Sequence, residues 1–356
     1  MPVDRLPLAN ADRESLVARV AGRLRAGALV ALPTETVYGL TVLPSRADAV
    51  ERARSAKGRG EAHAFTAHVH SASDLQRLAA AVPKAITRLC DRYWPGPLTV
   101  VVPARGGGTI GVRLPAHPFT REVIAACGEP LWMTSINRTG EAPLCEPAAI
   151  AAAFGDVLEL LIDDGPSPLG SASTVVRKVG ADLEVLREGI LSAAEVLRTA
   201  ADLVLFVCTG NTCRSPLAEA LARQSTAAAL GVTPAQVLAR GFDFMSAGTS
   251  TLDDLPASDG SLAAGAEAGL DLGGHRSRAV DRRLLLRADR IYCLGKGHRQ
   301  ALLAEAPEVA DKVQLLRPDG LDIADPYGGE LGAYRRALRE IRAAVTARRQ
   351  DWLGTG

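Results

Sequence analysis

One cysteine at the end of an apolar run is where this chain looks most able to do chemistry. In Leu203 to Pro216, LVLFVCTGNTCRSP, apolar residues lead into Cys208, and Arg214 stands six residues further on. The run predicts a buried strand ending at Cys208. Pro216 predicts the first position of a helix, because its missing N–H is one the helix would leave unpaired anyway. A loop between strand end and helix start offers successive backbone N–H groups and the positive helix end to an anion. Thr209, Gly210, Asn211, Thr212 and Cys213 form that loop, with Gly210 and Asn211 tolerating its tight turns. The same field favours thiolate over thiol at Cys208. Arg214 adds a planar fork for two phosphate oxygens, and Ser215 a hydroxyl that can bond the thiolate. The chemistry implied is phosphoryl transfer to sulfur, and the acid it needs for a leaving group is expected at Asp325, in the turn-forming run Asp325-Pro326-Tyr327-Gly328-Gly329.

Upstream there is no G-x-x-x-x-G-K-[ST] or G-x-G-x-x-G cradle. Polar clusters recur instead: PTETVYGL (33–40), KGRGEAHAFTAH (57–68), RYWPGPLTVVVP (92–103), TIGVRLPAHP (109–118), MTSINRTG (133–140), STVV (173–176) and LREG (186–189). Singly each has a plain explanation: Lys57 and Arg59 as a solvated helix end, Ser173-Thr174 as an ordinary strand. His63, His68 and His70 lack a fourth-ligand pattern for a metal, which leaves surface histidines as the simpler account.

The elements that must hold these residues follow from periodicity. At 356 residues the chain has room for two cores. A helical face at Val17 to Leu24 precedes a buried strand at Ala28 to Pro33. Further strands are predicted at 98–102, 109–114, 158–162, 173–176 and 184–186, with helices at 47–56, 73–81, 147–153 and 192–198. Uneven helical spacers predict a twisted mixed α/β sheet for this half. From Asp202 the order becomes strand, loop, helix (217–224), strand near Val237, helix (261–268), strand (290–294), helix, strand (313–316) and a final helix (331–349). Alternation of this kind predicts a parallel three-layer α/β domain. The domains are expected at 1–198 and 199–356.

With 41 Lys+Arg against 40 Asp+Glu, no whole-chain field draws the protein to nucleic acid or membrane. The absence of a long apolar run, of a secretory leader and of any disulfide-like framing of the six cysteines predicts a cytoplasmic protein with reduced thiols and no membrane partner.

The C-x5-R-S loop and late Asp-Pro-Tyr, with Ser246-Ala247-Gly248 and His275-Arg276-Ser277, resemble the low-molecular-weight protein phosphatase family over Leu203 to about Arg349. That resemblance implies that Cys208 attacks phosphorus, that Asp325 protonates the leaving atom and then activates water, and that no cofactor is required. It also implies either a Cys208–Cys213 disulfide under oxidation or a packed spectator thiol at Cys213. Thr212, where tyrosine-directed members carry a larger aliphatic residue, is similar to the bacterial protein-arginine phosphatases, so phosphotyrosine and phosphoarginine both stay open, with arsenate reduction a distant third.

The seven upstream clusters, in order, resemble the YrdC family of threonylcarbamoyl-AMP synthases over Leu24 to Leu197. The implied substrates are L-threonine, bicarbonate and ATP, with Mg²⁺ arriving on the ATP, and the product feeds proteins that build threonylcarbamoyladenosine in tRNA. By that resemblance Thr36, His68, Arg113 and Ser173 hold threonine, while Lys57, Arg59, His63, Thr109, Thr134, Ser135, Asn137 and Arg187 surround ATP. The family's K-x-R-P-x-x-x-P-L has become Lys57 to Phe65 without either proline, and T-S-A-N has become Thr134-Ser135-Ile136-Asn137. Two competing expectations follow: a first domain that senses ATP or threonine without turnover, or one that binds double-stranded RNA.

Overall fold

The computed structural model describes residues 3–57, 65–138, 140–180 and 182–354. Packing divides the chain into two compact units, Met1–Ala200 and Ala201–Gly356.

The strands of the first unit are β1 (Asp4–Pro7), β2 (Val30–Leu32), β3 (Gly39–Val42), β4 (Thr66–His68), β5 (Leu98–Pro103), β6 (Thr109–Arg113), β7 (Leu131–Ser135), β8 (Leu160–Asp163), β9 (Thr174–Val179) and β10 (Asp182–Arg187). They form one mixed sheet in the order β1-β8-β2-β3-β7-β4-β6-β5-β9-β10. Period-two alternation splits one apolar run between two cores. Val30 and Leu32 pack with the helices Arg13–Arg25 and Pro118–Cys127, whereas Leu29 and Ala31 pack with Ala47–Ala56 and Pro147–Phe154. The glycine-rich patch joins antiparallel β5 and β6, with Gly107 at φ 91° and Gly108 at φ 68°, left-handed angles that glycine adopts without strain.

In the second unit β11 (Asp202–Cys208), β12 (Phe242–Gly248), β13 (Arg290–Cys293) and β14 (Val313–Leu315) are all parallel, in the order β12-β11-β13-β14. Val204 and Phe206 face one core, and Leu203, Leu205 and Val207 the other. This is the doubly covered parallel sheet that the alternating elements predict. The final helix, Leu331–Leu353, buries Trp352 completely against Phe244 and Tyr292, and its indole N–H donates to Thr226 Oγ1 at 2.9 Å.

Three sequence expectations are corrected here. Val237 is not in a strand: Pro234–Gln236 is a short 3₁₀ turn closed by a Thr233/Gln236 capping box, and Val237 is its buried anchor. The strand begins at Phe242. Pro216 is not the first helical residue, because the helix runs Arg214–Leu230. The proline fits the first turn all the same, where no N–H has an intrahelical acceptor. That helix also outruns its expected end at Gln224, stopping only where Gly231 takes φ 66°.

Trp352→Ala should lower the unfolding free energy of the second unit by about 3–5 kcal/mol, the usual cost of emptying a large aromatic site. Denaturant titration followed by the circular dichroism of this unit expressed within the full chain checks it.

Candidate active sites

The loop after β11 has its carbonyls turned outward and held there. Cys208 O accepts from Thr249 N at 2.9 Å, Thr209 O from Ser250 N at 3.0 Å, Gly210 O from Thr251 Oγ1 at 2.8 Å, and Thr212 O from Ser258 N at 2.9 Å. Among the described residues the N–H groups of Thr209 to Cys213 have no protein acceptor. Peptide planes with engaged carbonyls direct their N–H groups the other way, so the loop is a nest of donors for an anion.

Asn211 makes the turn possible, with φ 51° and full burial. Its Oδ1 accepts from Arg278 N at 2.9 Å, and its carbonyl accepts from His275 Nε2 at 2.7 Å. That gives a physical reason for the His275-Arg276-Ser277 motif. Ser277 Oγ in turn bonds Leu252 O at 2.6 Å and receives Leu255 N at 3.0 Å. Gly248 is needed because a Cβ there would sit 2.5 Å from Thr209 O. Asn211 Nδ2 donates to Ser215 Oγ at 2.9 Å, and the serine hydroxyl lies 3.0 Å from Cys208 Sγ and 3.5 Å from Ala247 O, the shorter contact being the one to sulfur.

Arg214 is buried, giving one N–H to Ile323 O at 3.0 Å and another to Asp325 Oδ2 at 2.6 Å. Its buried Nε has no partner among the described residues, a donor left for a ligand. Asp325 is half exposed and lines, with Cys208, Thr209, Thr212 and Tyr327, a cavity of about 630 Å³. Cys213 is buried with a free thiol 3.2 Å from Ser258 Oγ.

In the first unit the strand ends converge on a cavity of about 360 Å³ lined by His68, Thr109, Arg113, Thr134, Ser135, Ser173 and Arg187. Seven of the twelve expected ligand residues therefore share one cavity despite their spread along the chain. Arg113 is buried and ion-paired to Glu35 at 2.6 Å, while Glu35 also accepts Ala116 N at 2.9 Å. Ser173 Oγ meets Thr99 Oγ1 at 2.9 Å, and Arg187 caps Ser173 O at 2.9 Å. Gly189 of the LREG cluster allows this packing, since a Cβ there would lie 2.2 Å from Ala172 O. Thr36 is fully buried one layer back, 2.9 Å from the Oγ1 of cavity-lining Thr34. Lys57 is likewise set behind the wall, donating to Thr134 Oγ1 at 3.1 Å and Asn137 Oδ1 at 3.3 Å. Arg59 and His63 lie outside the described residues.

His68 is not at the surface. Burial, reinforced by the Arg113 charge, pushes its pKa down to about 3, and Nδ1–H donates to Thr66 O at 3.1 Å. His70 pairs with Asp74 at 2.9 Å, and no cluster of His, Cys, Asp or Glu suited to a metal occurs among the described residues. Nor is any described helix long and apolar enough to cross a membrane. Glu35, Thr34 and Thr99 were not among the expected site residues. For Glu35 the signal was present, since a buried arginine demands a carboxylate.

Residues 23–189 match the Sua5/YciO/YrdC family profile, described as telomere recombination, and residues 203–351 match that of low molecular weight phosphotyrosine protein phosphatase. A threonylcarbamoyl-AMP synthase of Pyrococcus abyssi is 35% identical over 49% of this chain and 54% of its own length, so the chain spans about half of that relative. A putative threonylcarbamoyl-AMP synthase of Mycobacterium tuberculosis is 33% identical over 52% of this chain and 91% of its own length. A solved P. abyssi Sua5 variant superposes with TM-score 0.52 at 29% identity, covering 58% of this chain and 70% of that one.

An unfolded His68 titrates near 6.5 and the folded one near 3, so between those values the unfolded state binds the extra proton and stability rises with pH. The slope contributed is up to about 1.4 kcal/mol per pH unit and vanishes above about pH 6.5, where the stabilisation is complete. His68→Gln should remove this slope, as read from urea unfolding of both proteins at about pH 4.5 and pH 6.5.

Proposed function

We propose two enzymatic reactions for this chain, which belongs to the Sua5/YciO/YrdC family of threonylcarbamoyl-AMP synthases and carries a C-terminal domain of the low-molecular-weight phosphatase family. In the first unit L-threonine, bicarbonate and ATP give threonylcarbamoyl-AMP and pyrophosphate. The threonine amine and bicarbonate form a carbamate with loss of water. A carbamate oxygen then bonds the α-phosphorus as the bond to the β-phosphate oxygen breaks.

The observation that carries this reading is the gathering of Arg113, Arg187, neutral His68 and the hydroxyls of Thr109 and Ser173 around one cavity. Arg113, held by Glu35 through Nη2 and by Gly96 O through Nε, presents Nη1 to the threonine carboxylate. Uncharged His68 adds no repulsion beside it and leaves Nε2 to accept from a substrate donor. Thr109, Thr134, Ser135 and Arg187 face the triphosphate, backed by Lys57 and Asn137. Catalysis of this kind is positioning and charge neutralisation. Mg²⁺ would supply further neutralisation as a companion of the triphosphate, for no acidic cage stands among the described residues. The product serves tRNA modification and passes to the proteins that transfer its threonylcarbamoyl group.

In the second unit Cys208 Sγ takes the phosphoryl group of a phosphorylated protein side chain, phosphotyrosine or phosphoarginine. The donor-lined loop and the free Nε of Arg214 carry this reading. An entering phosphate monoester monoanion competes with Asp325 for the guanidinium and so releases the carboxylate, which takes up the proton the monoanion carries and delivers it to the leaving atom as the S–P bond forms and the bond from phosphorus to that atom breaks. The same carboxylate then draws a proton from the water that cleaves the phosphocysteine.

Full chain with ATP, bicarbonate and labelled threonine should release threonine-dependent pyrophosphate. Its absence, with phosphatase turnover intact, would leave the first unit a sensor. Glu35→Gln should raise the KM for threonine about tenfold with little change for ATP, the worth of one charge-assisted hydrogen bond.

Cys208→Ser should abolish hydrolysis of p-nitrophenyl phosphate, and Asp325→Asn should slow poor leaving groups about a hundredfold. Thr212→Ile should move the kcat/KM ratio toward phosphotyrosine over phosphoarginine peptides. An unchanged ratio would remove Thr212 as the selector.

A further inference from the structure

His298 takes no part in the proposed phosphoryl transfer, yet it touches the phosphate cradle at Thr209 and lies within the field of Arg214 and Asp325. It lies in the first turn of the helix Lys296–Glu305. Its Nε2 is 2.9 Å from Thr209 Oγ1, on the residue that follows the nucleophile. Its Nδ1 is buried without a partner among the described residues. The charges facing it come from two other elements: Arg214 at the start of the helix after the loop, and Asp322 and Asp325 on the segment that bears the acid.

The space beside that orphaned nitrogen is specific. A Cβ on Gly295 would lie 3.2 Å from the Asp322 carboxyl carbon and 3.5 Å from His298 Nδ1. Gly295 thus leaves a gap with an imidazole nitrogen on one side and a carboxylate on the other. Its backbone is extended, with φ −170°, so the glycine is not required by conformation. Asp322 also anchors this helix, accepting Lys296 N at 2.8 Å. With Nε2–H donating to Thr209 Oγ1, the neutral ring has at Nδ1 only a lone pair, which a carboxylate cannot satisfy, whereas the charged ring has an N–H to give it.

We propose that His298 is a positioning residue of the cradle that takes up a proton from solvent when phosphate binds, its Nδ1–H then closing on Asp322 across the Gly295 gap while Nε2 steadies Thr209. The proposal rests on the phosphatase reading and adds a proton linkage to it. In the free protein burial and the Arg214 charge hold the His298 pKa below its ordinary value, with Asp325 and Asp322 opposing them. A phosphate anion against Arg214 offsets the repulsive charge and leaves the attraction of Asp322. Binding and protonation then favour each other by the same factor.

The direct test is the ring resonances of His298, followed by NMR from about pH 4.5 to 8 in the full chain, with and without saturating inorganic phosphate. Phosphate should raise the midpoint by about one pH unit, equivalent to a tenfold linkage. Identical midpoints would overturn the proposal. Gly295→Ala fills the gap and should cut the shift to less than half. His298→Gln keeps a group able to bond Thr209 but cannot titrate. It should remove from the inhibition constant of inorganic phosphate the wild-type protein's extra pH dependence, about tenfold between pH 5 and pH 7. An unchanged pH dependence in that variant would also overturn the proposal. Loss of p-nitrophenyl phosphate hydrolysis in the wild-type protein would instead sink the phosphatase reading, and the resonance titration would still report whether the anion and the proton are linked.

Discussion

A left-handed residue at the base of the phosphate loop is what the second unit's chemistry depends on. Asn211 costs backbone strain at φ 51°, and the surrounding residues offset it by engaging its side-chain oxygen, its amide and its carbonyl. Once that turn is set, the carbonyls of the loop face outward to Thr249, Ser250, Thr251 and Ser258, and its N–H groups face the cavity. In the proposed reaction Cys208 then needs no base of its own. It lies where donors converge, with Ser215 at hydrogen-bond distance from its sulfur.

The first unit solves a related problem with charged side chains. A buried cation is costly to leave unpaired, and Arg113 is paired with Glu35. His68 avoids the cost by staying neutral. In the second unit Arg214 is likewise paired, with Asp325. Both buried arginines are therefore oriented by a carboxylate in this structure. Asp325 differs from Glu35 in its exposure, 48% against 14% for the side chains, as the movement proposed for its carboxyl requires.

Much of the fold was legible because its signals are local. The helix at 47–56 ends where periodicity places it, and the alternation of elements after Asp202 predicts the parallel sheet that forms. Val237 misled because one buried valine looks the same in a turn as in a strand, and the Thr233/Gln236 box that decides between them is a matter of side-chain bonding. Pro216 misled by two positions because proline is compatible with the whole first turn of a helix. Thr36 and Lys57 look like ligands in the sequence but sit one layer behind Thr34 and Thr134, a distinction of depth that no linear pattern carries.

The sequence by itself determined the loop that bears Cys208, because a strand end, a tight turn and a helix start are built from contiguous residues whose local geometry is complete at short range. It also determined which polar clusters upstream belong together. Only the tertiary structure decided how distant residues are paired: Glu35 on Arg113, His275 on Asn211, Asp325 on Arg214 and His298 on Thr209. These contacts join residues tens to more than a hundred positions apart. Their existence depends on strand order and register in the two sheets, which bring the ends of separate strands to one site.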